Sequence, residues 1–261
     1  MWISIHAFSK SPSALSSPND QSVSELLYIV LVVAATALLQ SITGFGFALL
    51  SVPLFALRID VHEAVVLSTC LGTISSGWQT RLLKADAQRS AAKRYIVASI
   101  IGIPFGYAAF ALLDDQILRL IVGVAVLFGT AVVAFGSAIR VGRRLEGLLG
   151  VLSGVLLIAT STNGPPIVLA MQAQRMPMLQ FRATLARIFF VSGVISVALF
   201  AFTGEISRTI VTSAIVCLPV MTMSVLLGNR LVGRLAEARF RIIVLGLLVV
   251  AGLSTLVGAI A

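Results

Sequence analysis

The sequence predicts an all-α integral membrane protein made of two inverted repeats, and three observations lead to this prediction. Of 261 residues, 58% are hydrophobic and only 11% are charged, whereas roughly a quarter of the residues of a soluble domain are charged. The hydrophobic residues form runs close to the roughly 20 residues that a helix needs to cross a bilayer. The same order of runs occurs twice, and basic residues cluster in a few of the segments between them.

Apolar runs define the predicted helices. They cover residues 26–57, 63–80, 94–113, 116–139, 145–174, 182–203, 209–227 and 241–260. The first run is interrupted at residues 43–46 (TGFG) and at Pro53, and the fifth is interrupted at residues 161–166 (STNGPP). Each half is therefore predicted to contain a broken or re-entrant helical hairpin followed by three transmembrane helices. The whole chain then has about eight spans and up to about ten helical segments.

The predicted domain organisation is a single transmembrane domain, residues 23–261, that follows a polar tail. Residues 1–22 are rich in Ser and Pro and lack the apolar core of a signal peptide, which predicts a disordered segment. Repeat 1 is expected at about residues 24–140 and repeat 2 at about 144–261.

Weak internal similarity supports the two repeats. The stretch LDDQILRLIVGVAVLFG (113–129) aligns with LAEARFRIIVLGLLVVAG (235–252). In this alignment an acidic residue of the first stretch falls opposite an acidic residue of the second, and a basic residue falls opposite a basic one. The stretch TGFGFALLSVP (43–53) falls opposite TNGPPIVLA (162–170), so the two interruptions occupy equivalent places in the two halves.

The distribution of charge predicts how the repeats are oriented. The net charge is +9, and basic residues fill the segments 81–94, 140–144 and 230–241. The positive-inside rule places these segments in the cytoplasm. The loop after the first unbroken run is then inside, whereas the equivalent loop of the second half, residues 203–208, is outside. The halves are therefore inverted, each broken region must begin and end on one side, and both termini are expected outside.

Inverted repeats with broken helices are a transporter architecture, in which the substrate binds where the breaks meet near the midplane. In the first break, Gly44 and Gly46 permit a sharp turn that exposes peptide N–H groups. A helix that begins just after Gly46 would direct its partial positive end at the turn, as in anion sites. Gln40, Ser41 and Thr43 add polar side chains at membrane depth. The alternative is that the small residues serve close helix packing.

The second break has the same character. Ser161, Thr162, Asn163, Gly164 and Pro165 follow one another inside an apolar run. Either proline of this STNGPP stretch can open a helix as its first residue, and Thr162 or Asn163 can cap that helix. The second short helix would therefore also present its N-terminus to the break.

Ionisable residues at membrane depth are the next candidates. Arg182 lies at the start of a run and Arg187 lies one and a half turns into it. Charges at this depth are costly, which favours a functional role, here the binding of an anion. The alternative for Arg187 is that its side chain extends to the cytoplasmic surface. His62 and Glu63 open the equivalent run of the first half, where we expect them to cap the helix or to lie at the outer surface.

Several function classes are not supported by the sequence. No base-stacking or groove-reading module accompanies the positive charge, so we expect no nucleic-acid partner. The cysteines, Cys70 and Cys217, and the histidines, His6 and His62, are too few for a metal site or a disulfide framework. P-loop, HExxH, GxSxG and dinucleotide motifs are absent, so we expect no cofactor, no ATP-driven pumping and no enzyme activity. A membrane-embedded enzyme and a non-transporting scaffold are the alternatives to a transporter.

These motifs resemble the sulfite exporter TauE/SafE family. The resemblance lies in residues 40–53 (QSITGFGFALLSVP), residues 163–168 (NGPPIV), residues 181–184 (FRAT) and the two-half layout, and it extends from Leu26 to the end of the chain. It implies a permease of the plasma membrane, a bacterial inner membrane, driven by protons or another gradient. The implied partners are the lipid bilayer and a small sulfur-containing anion such as sulfite or an organosulfonate. The solute, the coupling ion and homo-oligomerisation stay open.

Overall fold

The computed structural model of the protein describes residues 18–135, 142–172, 174, 176–232 and 237–260. Within these ranges the secondary structure is entirely α-helical, with ten helices and no strand. In chain order they are α1 Pro18–Thr43, α2 Phe47–Phe55, α3 Val61–Leu82, α4 Arg89–Leu112, α5 Asp115–Phe135, α6 Arg143–Thr160, α7 Gly164–Gln172, α8 Met178–Thr203, α9 Arg208–Leu231 and α10 Glu237–Ile260. The predicted all-α class is confirmed, and a long helix, a short helix and three long helices follow one another twice.

The helix boundaries differ from the predicted runs mainly at polar N-terminal ends. Helix α4 begins at Arg89, five residues before the predicted run, because polar first turns extend a helix beyond its apolar part. Helix α1 begins at Pro18, inside the segment interpreted as a disordered tail. Residues 1–17 and 136–141 lie outside the described residues, so the tail and the division between the repeats stay predictions.

Five described helices are long and apolar enough to cross a membrane. They are Val23–Thr43, Arg89–Leu112, Asp115–Val132, Met178–Thr203 and Arg208–Leu231. Helix α3 has 22 residues, which is about 33 Å and also enough to cross a bilayer. Helix α3 is less apolar than these five helices because it carries a row of buried Ser and Thr residues.

Both broken regions are re-entrant hairpins. In the first, the Tyr28 hydroxyl in the N-terminal half of α1 donates a hydrogen bond to the Leu54 carbonyl near the end of α2, at 2.9 Å. In the second, the Gln174 side-chain amide, just after α7, donates to the Glu146 carboxylate in the first turn of α6, also at 2.9 Å. The chain therefore enters the bundle, turns at the break and returns to the side from which it came.

Helix α4 shows that the two hairpins open in opposite directions. At its C-terminal end, the Phe110 carbonyl lies 3.1 Å from the His62 ring, close to where the first hairpin ends. At its N-terminal end, the Tyr95 hydroxyl accepts a hydrogen bond from Gln174 of the second hairpin, at 3.0 Å. The halves are therefore inverted, as predicted. We call the His62–Phe110 end of the bundle the outer end and the Tyr95–Gln174 end the inner end.

Helix packing follows the same twofold pattern. Helix α1 packs on α9, and its counterpart α6 packs on α4. Helix α3 packs on its own counterpart α8, and α5 packs on α10. The short helices α2 and α7 pack against α10 and α5, respectively. This arrangement brings both breaks to the middle of the bundle, beside the α3–α8 pair.

Candidate functional site

The two breaks meet at a polar cavity of about 40 Å³ in the middle of the bundle. Gly46 and the first residues of α2 line one side, and residues 161–164 line the other. The Thr69 hydroxyl of α3 donates to the Ser161 hydroxyl at 3.0 Å and so ties α3 to the second break. A cavity of this volume holds about three water molecules.

The turn of the first break depends on two glycines with positive φ. Gly44 has φ +89° and Gly46 has φ +96°, which other L-residues adopt only with strain. The Thr43 hydroxyl stabilises the turn, because it donates to the Leu39 carbonyl at 3.0 Å and accepts from the Phe45 N–H at 3.3 Å. The chain can then reverse direction within three residues, and α2 begins at Phe47, as predicted.

The second break is built without a positive-φ glycine. Ser161 occupies the left-handed region with φ 59°, and it is the one described residue other than glycine that does so. Strained backbone of this kind costs of order 1–3 kcal/mol and is concentrated at functional sites. The Thr160 and Thr162 hydroxyls lie 2.5 Å apart, and the Ser153 hydroxyl donates to the Asn163 carbonyl at 2.9 Å. These bonds hold the break open toward the cavity.

The two short helices present N-termini of unequal donor strength. The first N–H groups of a helix lack an intrahelical acceptor, and Gly46 provides no side-chain cap for those of α2. Phe47, Ala48 and Leu49 all line the cavity. Helix α7 begins at Gly164 and carries two prolines in its first turn, which have no N–H to donate. Both helix dipoles therefore act on the cavity, but α2 supplies more hydrogen-bond donors.

Helix α3 contributes a row of hydroxyl groups that the sequence analysis did not identify. These cavity-lining residues are Ser68, Thr69, Thr73 and Ser76. Ser68 lies 2.6 Å from the Ser51 hydroxyl of α2, and the Thr73 hydroxyl donates to the Thr69 carbonyl at 2.7 Å. The available signal was the spacing of small and polar residues by four positions in an unbroken run, which places them on one helix face.

Two amide side chains at the cavity have different environments. The Gln40 amide is held by α3, because it accepts from the Ser75 hydroxyl at 2.6 Å and donates to the Ser76 hydroxyl at 3.1 Å. The Asn163 side chain, which is 8% exposed, makes no hydrogen bond to a described residue. Asn163 is therefore the amide that is free to bind a ligand, and Gln40 orients the α3 hydroxyls.

Six of the predicted site residues line the cavity and six do not. Those that line it are Gln40, Gly46, Ser161, Thr162, Asn163 and Gly164. Those that do not are Ser41, Thr43, Gly44, Pro165, Arg182 and Arg187.

Packing contacts with neighbouring helices explain why Ser41 and Pro165 do not line the cavity. The Ser41 hydroxyl bonds the Leu38 carbonyl of its own helix at 2.7 Å and lies against Gly228 of α9. Pro165 packs on Gly129 of α5, where its Cγ lies 2.8 Å from the position of a Cβ atom. A binding role for these two residues is still a prediction, but their contacts are those of packing residues.

Arg182 lies directly behind the first break. Its side chain is 2% exposed, and its guanidinium donates to the Ser41 carbonyl and, at 2.6 Å, to the Asn229 side-chain oxygen. Gly44 packs on its aliphatic stem. Its Nε atom has no hydrogen-bond partner in the described part of the chain, and no described carboxylate forms an ion pair with it. A buried cation without a counter-ion gives the break a positive potential.

Polar groups continue from the cavity toward the inner end. Thr73 contacts Gly193 and Gly77 contacts the Phe190 ring, so α3 and α8 run antiparallel. The antiparallel register continues for one more turn toward the inner end, where the inner part of α3 lies level with the half-buried Arg187 of α8. In this part of α3, Gln79 is fully buried, and neither atom of its amide has a partner among the described residues.

Comparison with known proteins identifies relatives of the chain. The sequence profile of the sulfite exporter TauE/SafE family matches residues 28–255. The chain is 24% identical over 249 residues to a protein of Cupriavidus necator named probable sulfite/organosulfonate exporter TauE, which covers 90% of this chain and 95% of the relative. It is 32% identical over 104 residues to the probable inner membrane transporter protein TsaS of Comamonas testosteroni, which covers 40% of this chain and 44% of the relative. No solved structure matches it significantly.

The profile match covers most of the chain and includes both hairpins. Together with the apolar helices, it identifies a multi-pass transporter of the plasma membrane. The chain belongs to the sulfite exporter TauE/SafE family.

Proposed function

We propose that the chain carries a small oxyanion, sulfite or a related sulfonate, through the cavity between the two breaks. The observation that carries this proposal is the lining of the cavity, in which hydroxyls, a free amide and the N-terminus of α2 converge and no described acid takes part. An anion in a medium of low dielectric constant needs such donors to replace its hydration shell. The relative from Cupriavidus necator is named for sulfite and organosulfonates, which fits this chemistry.

The size of the cavity favours a small anion. Its volume of about 40 Å³ is comparable to about three waters, which matches an ion of one sulfur and three oxygen atoms. We therefore expect sulfite to fit between the two breaks.

Arg182, Arg187 and Gln79 support an inner route for the anion. The buried charge of Arg182 attracts an anion to the first break, and the unpaired amide of Gln79 offers donors between the cavity and the inner end. Arg187 lies at the depth where an anion would enter from the cytoplasm. Export in this direction agrees with the name of the relative from Cupriavidus necator, an exporter.

The proposal is for transport without a chemical step. The described residues that line the cavity supply hydroxyl and amide groups, which bind an anion but offer neither a general base nor a nucleophile activated by one. A scaffold function is the second candidate, and it differs in predicting no flux of any anion.

Flux measurements in proteoliposomes test the proposal. We expect wild-type protein to carry sulfite, and we expect Thr69→Val and Asn163→Ala to reduce the rate at least about tenfold, because each removes a hydrogen bond to a charged ligand worth about 1.5–3 kcal/mol. Thr222→Val is the matched control, since the Thr222 hydroxyl bonds its own helix at the Leu218 carbonyl, at 2.8 Å, away from the cavity. Wild-type rates in both cavity variants would remove these residues from the site, and no sulfite flux in the wild type would support the scaffold function.

A further inference from the structure

Three side chains with metal-binding atoms meet at the outer end of the bundle, away from the cavity. Asp60 caps α3, His62 lies in the first turn of α3, and Asp115 is the first residue of α5. The His62 Nδ1 atom lies 3.0 Å from an Asp115 carboxylate oxygen and 3.7 Å from an Asp60 carboxylate oxygen. One ligand atom from each residue lies within 4.8 Å of the other two.

The other ring nitrogen of His62 determines what Nδ1 can do. The Nε2 atom lies 3.1 Å from the Phe110 backbone carbonyl, which can only accept a hydrogen bond. Nε2 therefore carries a proton, and the Nδ1 atom faces the two carboxylates. A cation placed among Nδ1 and the two carboxylates would have all three groups as ligands. A histidine that binds a metal commonly donates its other N–H to a backbone carbonyl in this way.

The spacing of the three groups suits a tetrahedral ion. Ligands at about 2.0–2.1 Å from a tetrahedral zinc ion are separated by about 3.3 Å; the His62 Nδ1 atom lies 3.0 and 3.7 Å from the two carboxylates, and the three ligand atoms lie within 4.8 Å of one another. The Phe110 ring packs edge-on against the His62 ring at 4.9 Å. The imidazole is therefore held in its orientation before a metal binds.

The surroundings leave room for a metal ion from solution. The His62, Asp60 and Asp115 side chains are 28%, 43% and 56% exposed. The Asp60 oxygen that lies 3.7 Å from Nδ1 also accepts the backbone N–H groups of His62 and Glu63, at 2.8 and 3.3 Å, which fixes the carboxylate beside the imidazole. Arg119 donates to the Ala56 carbonyl at 2.8 Å, and its positive charge acts on Asp115 without forming an ion pair with it.

Although the two histidines of the sequence were expected to be too few for a metal site, we propose that His62 together with Asp60 and Asp115 binds a divalent transition-metal ion at the outer end, and that Zn²⁺ fits best. A nitrogen ligand together with two carboxylates suits zinc, whereas Mg²⁺ and Ca²⁺ prefer oxygen ligands alone. The ion would join the outer ends of α3 and α5, and through His62 also α4. Helix α3 carries the hydroxyls of the cavity, so bound zinc would restrain the helix on which the substrate site depends.

Zinc binding to the purified protein, prepared without a histidine tag, tests the site. We expect ZnCl₂ to raise the midpoint of thermal unfolding of the wild type, MgCl₂ to leave it unchanged, and His62→Gln and Asp115→Asn to weaken zinc binding at least about tenfold. His6→Gln removes the other histidine of the chain and should bind zinc like the wild type. Glu63→Gln, a neighbouring acid outside the cluster, is the second control, and both cysteines stay in every variant.

The visible absorption of bound cobalt provides an independent test of the metal site, made on protein that elutes as folded material. Co²⁺ held by one nitrogen and two oxygen ligands in a tetrahedral site gives intense visible bands that Zn²⁺ abolishes. We expect these bands in the wild type and His6→Gln, but not in His62→Gln. No zinc effect on the wild type, or equal binding by wild type and His62→Gln, would overturn the proposal.

Discussion

Replacing Gly154 with Ala should lower the midpoint of thermal unfolding more than any other single methyl addition in α6. A Cβ atom at this position would overlap the Ser99 carbonyl oxygen of α4 and lie 2.7 Å from its carbonyl carbon. The obstacle is backbone, which no side-chain rotation can relieve. Overpacking of this kind costs about 1–3 kcal/mol or more. It would also separate α4 from α6, which begins the hairpin of the second break.

Gly147→Ala is the matched control for this prediction. Gly147 lies in the same helix, and a Cβ atom there would meet nothing within 4 Å. Replacing a helical glycine by alanine in open space should stabilise the protein by up to about 1 kcal/mol. The measurement is thermal unfolding of both variants in the same detergent. Equal midpoints for the two variants would show that α4 and α6 do not approach as closely as described.

Replacing Arg182 with Gln should abolish most transport and change stability much less. Removal of the guanidinium leaves the Ser41 carbonyl and Asn229 with fewer partners, at a cost of about 1–3 kcal/mol for each buried group. The substitution also removes a buried charge that has no counter-ion among the described residues. Removing this uncompensated charge stabilises the protein and offsets much of the cost of the lost hydrogen bonds. The anion, in contrast, loses an attraction on the order of 1–2 kcal/mol at an effective dielectric constant of ~20, so the flux should fall roughly tenfold or more.

Two further variants separate the charge of Arg182 from its hydrogen bonds. Arg182→Lys retains the charge but loses the planar fork, so it should restore part of the flux. Asn229→Ala removes one acceptor and retains the charge, so it should alter stability more than flux. The measurements are sulfite flux in proteoliposomes and thermal unfolding of the same preparations. A flux of Arg182→Gln equal to that of the wild type would eliminate the role of this charge.

The sequence was informative about the breaks because their causes are local. Two closely spaced glycines among polar residues inside an apolar run predict a turn, and α2 begins at Phe47, directly after Gly46. The inversion of the repeats followed from the basic segments taken together with the repeated order of the apolar runs. It is confirmed by two contacts at opposite ends of α4, those of Phe110 and Tyr95.

The other half of the cavity could not be predicted, because it depends on helix rotation and on partners distant in sequence. Thr69 is an ordinary polar residue of a long helix until α3 packs beside the second break and its hydroxyl meets Ser161. Gln40 and Ser41 are neighbours, yet successive residues are separated by about 100° around a helix. Gln40 therefore faces α3, whereas Ser41 faces α9. The sequence identified the polar cluster without indicating which members point inward.

The two halves share the same order of helices but differ in the hydrogen-bond donors that they offer to the cavity. Helix α2 offers free N–H groups to the cavity, whereas Pro165 and Pro166 remove two donors from the start of α7. The second break replaces them with side chains, above all the free amide of Asn163. An anion should therefore bind closer to Gly46 and Thr69 than to the α7 N-terminus, although the scaffold is close to twofold symmetric.

A structure determined with bound selenite tests the proposed anion site most directly. Selenite is the selenium counterpart of sulfite, and its anomalous scattering locates the ion without reference to the protein. We predict a selenium peak inside the cavity, with selenite oxygens about 3 Å from the Thr69 hydroxyl and from the first N–H groups of α2. A peak elsewhere, with the cavity filled only by water, would contradict the assignment of the substrate site to the two breaks.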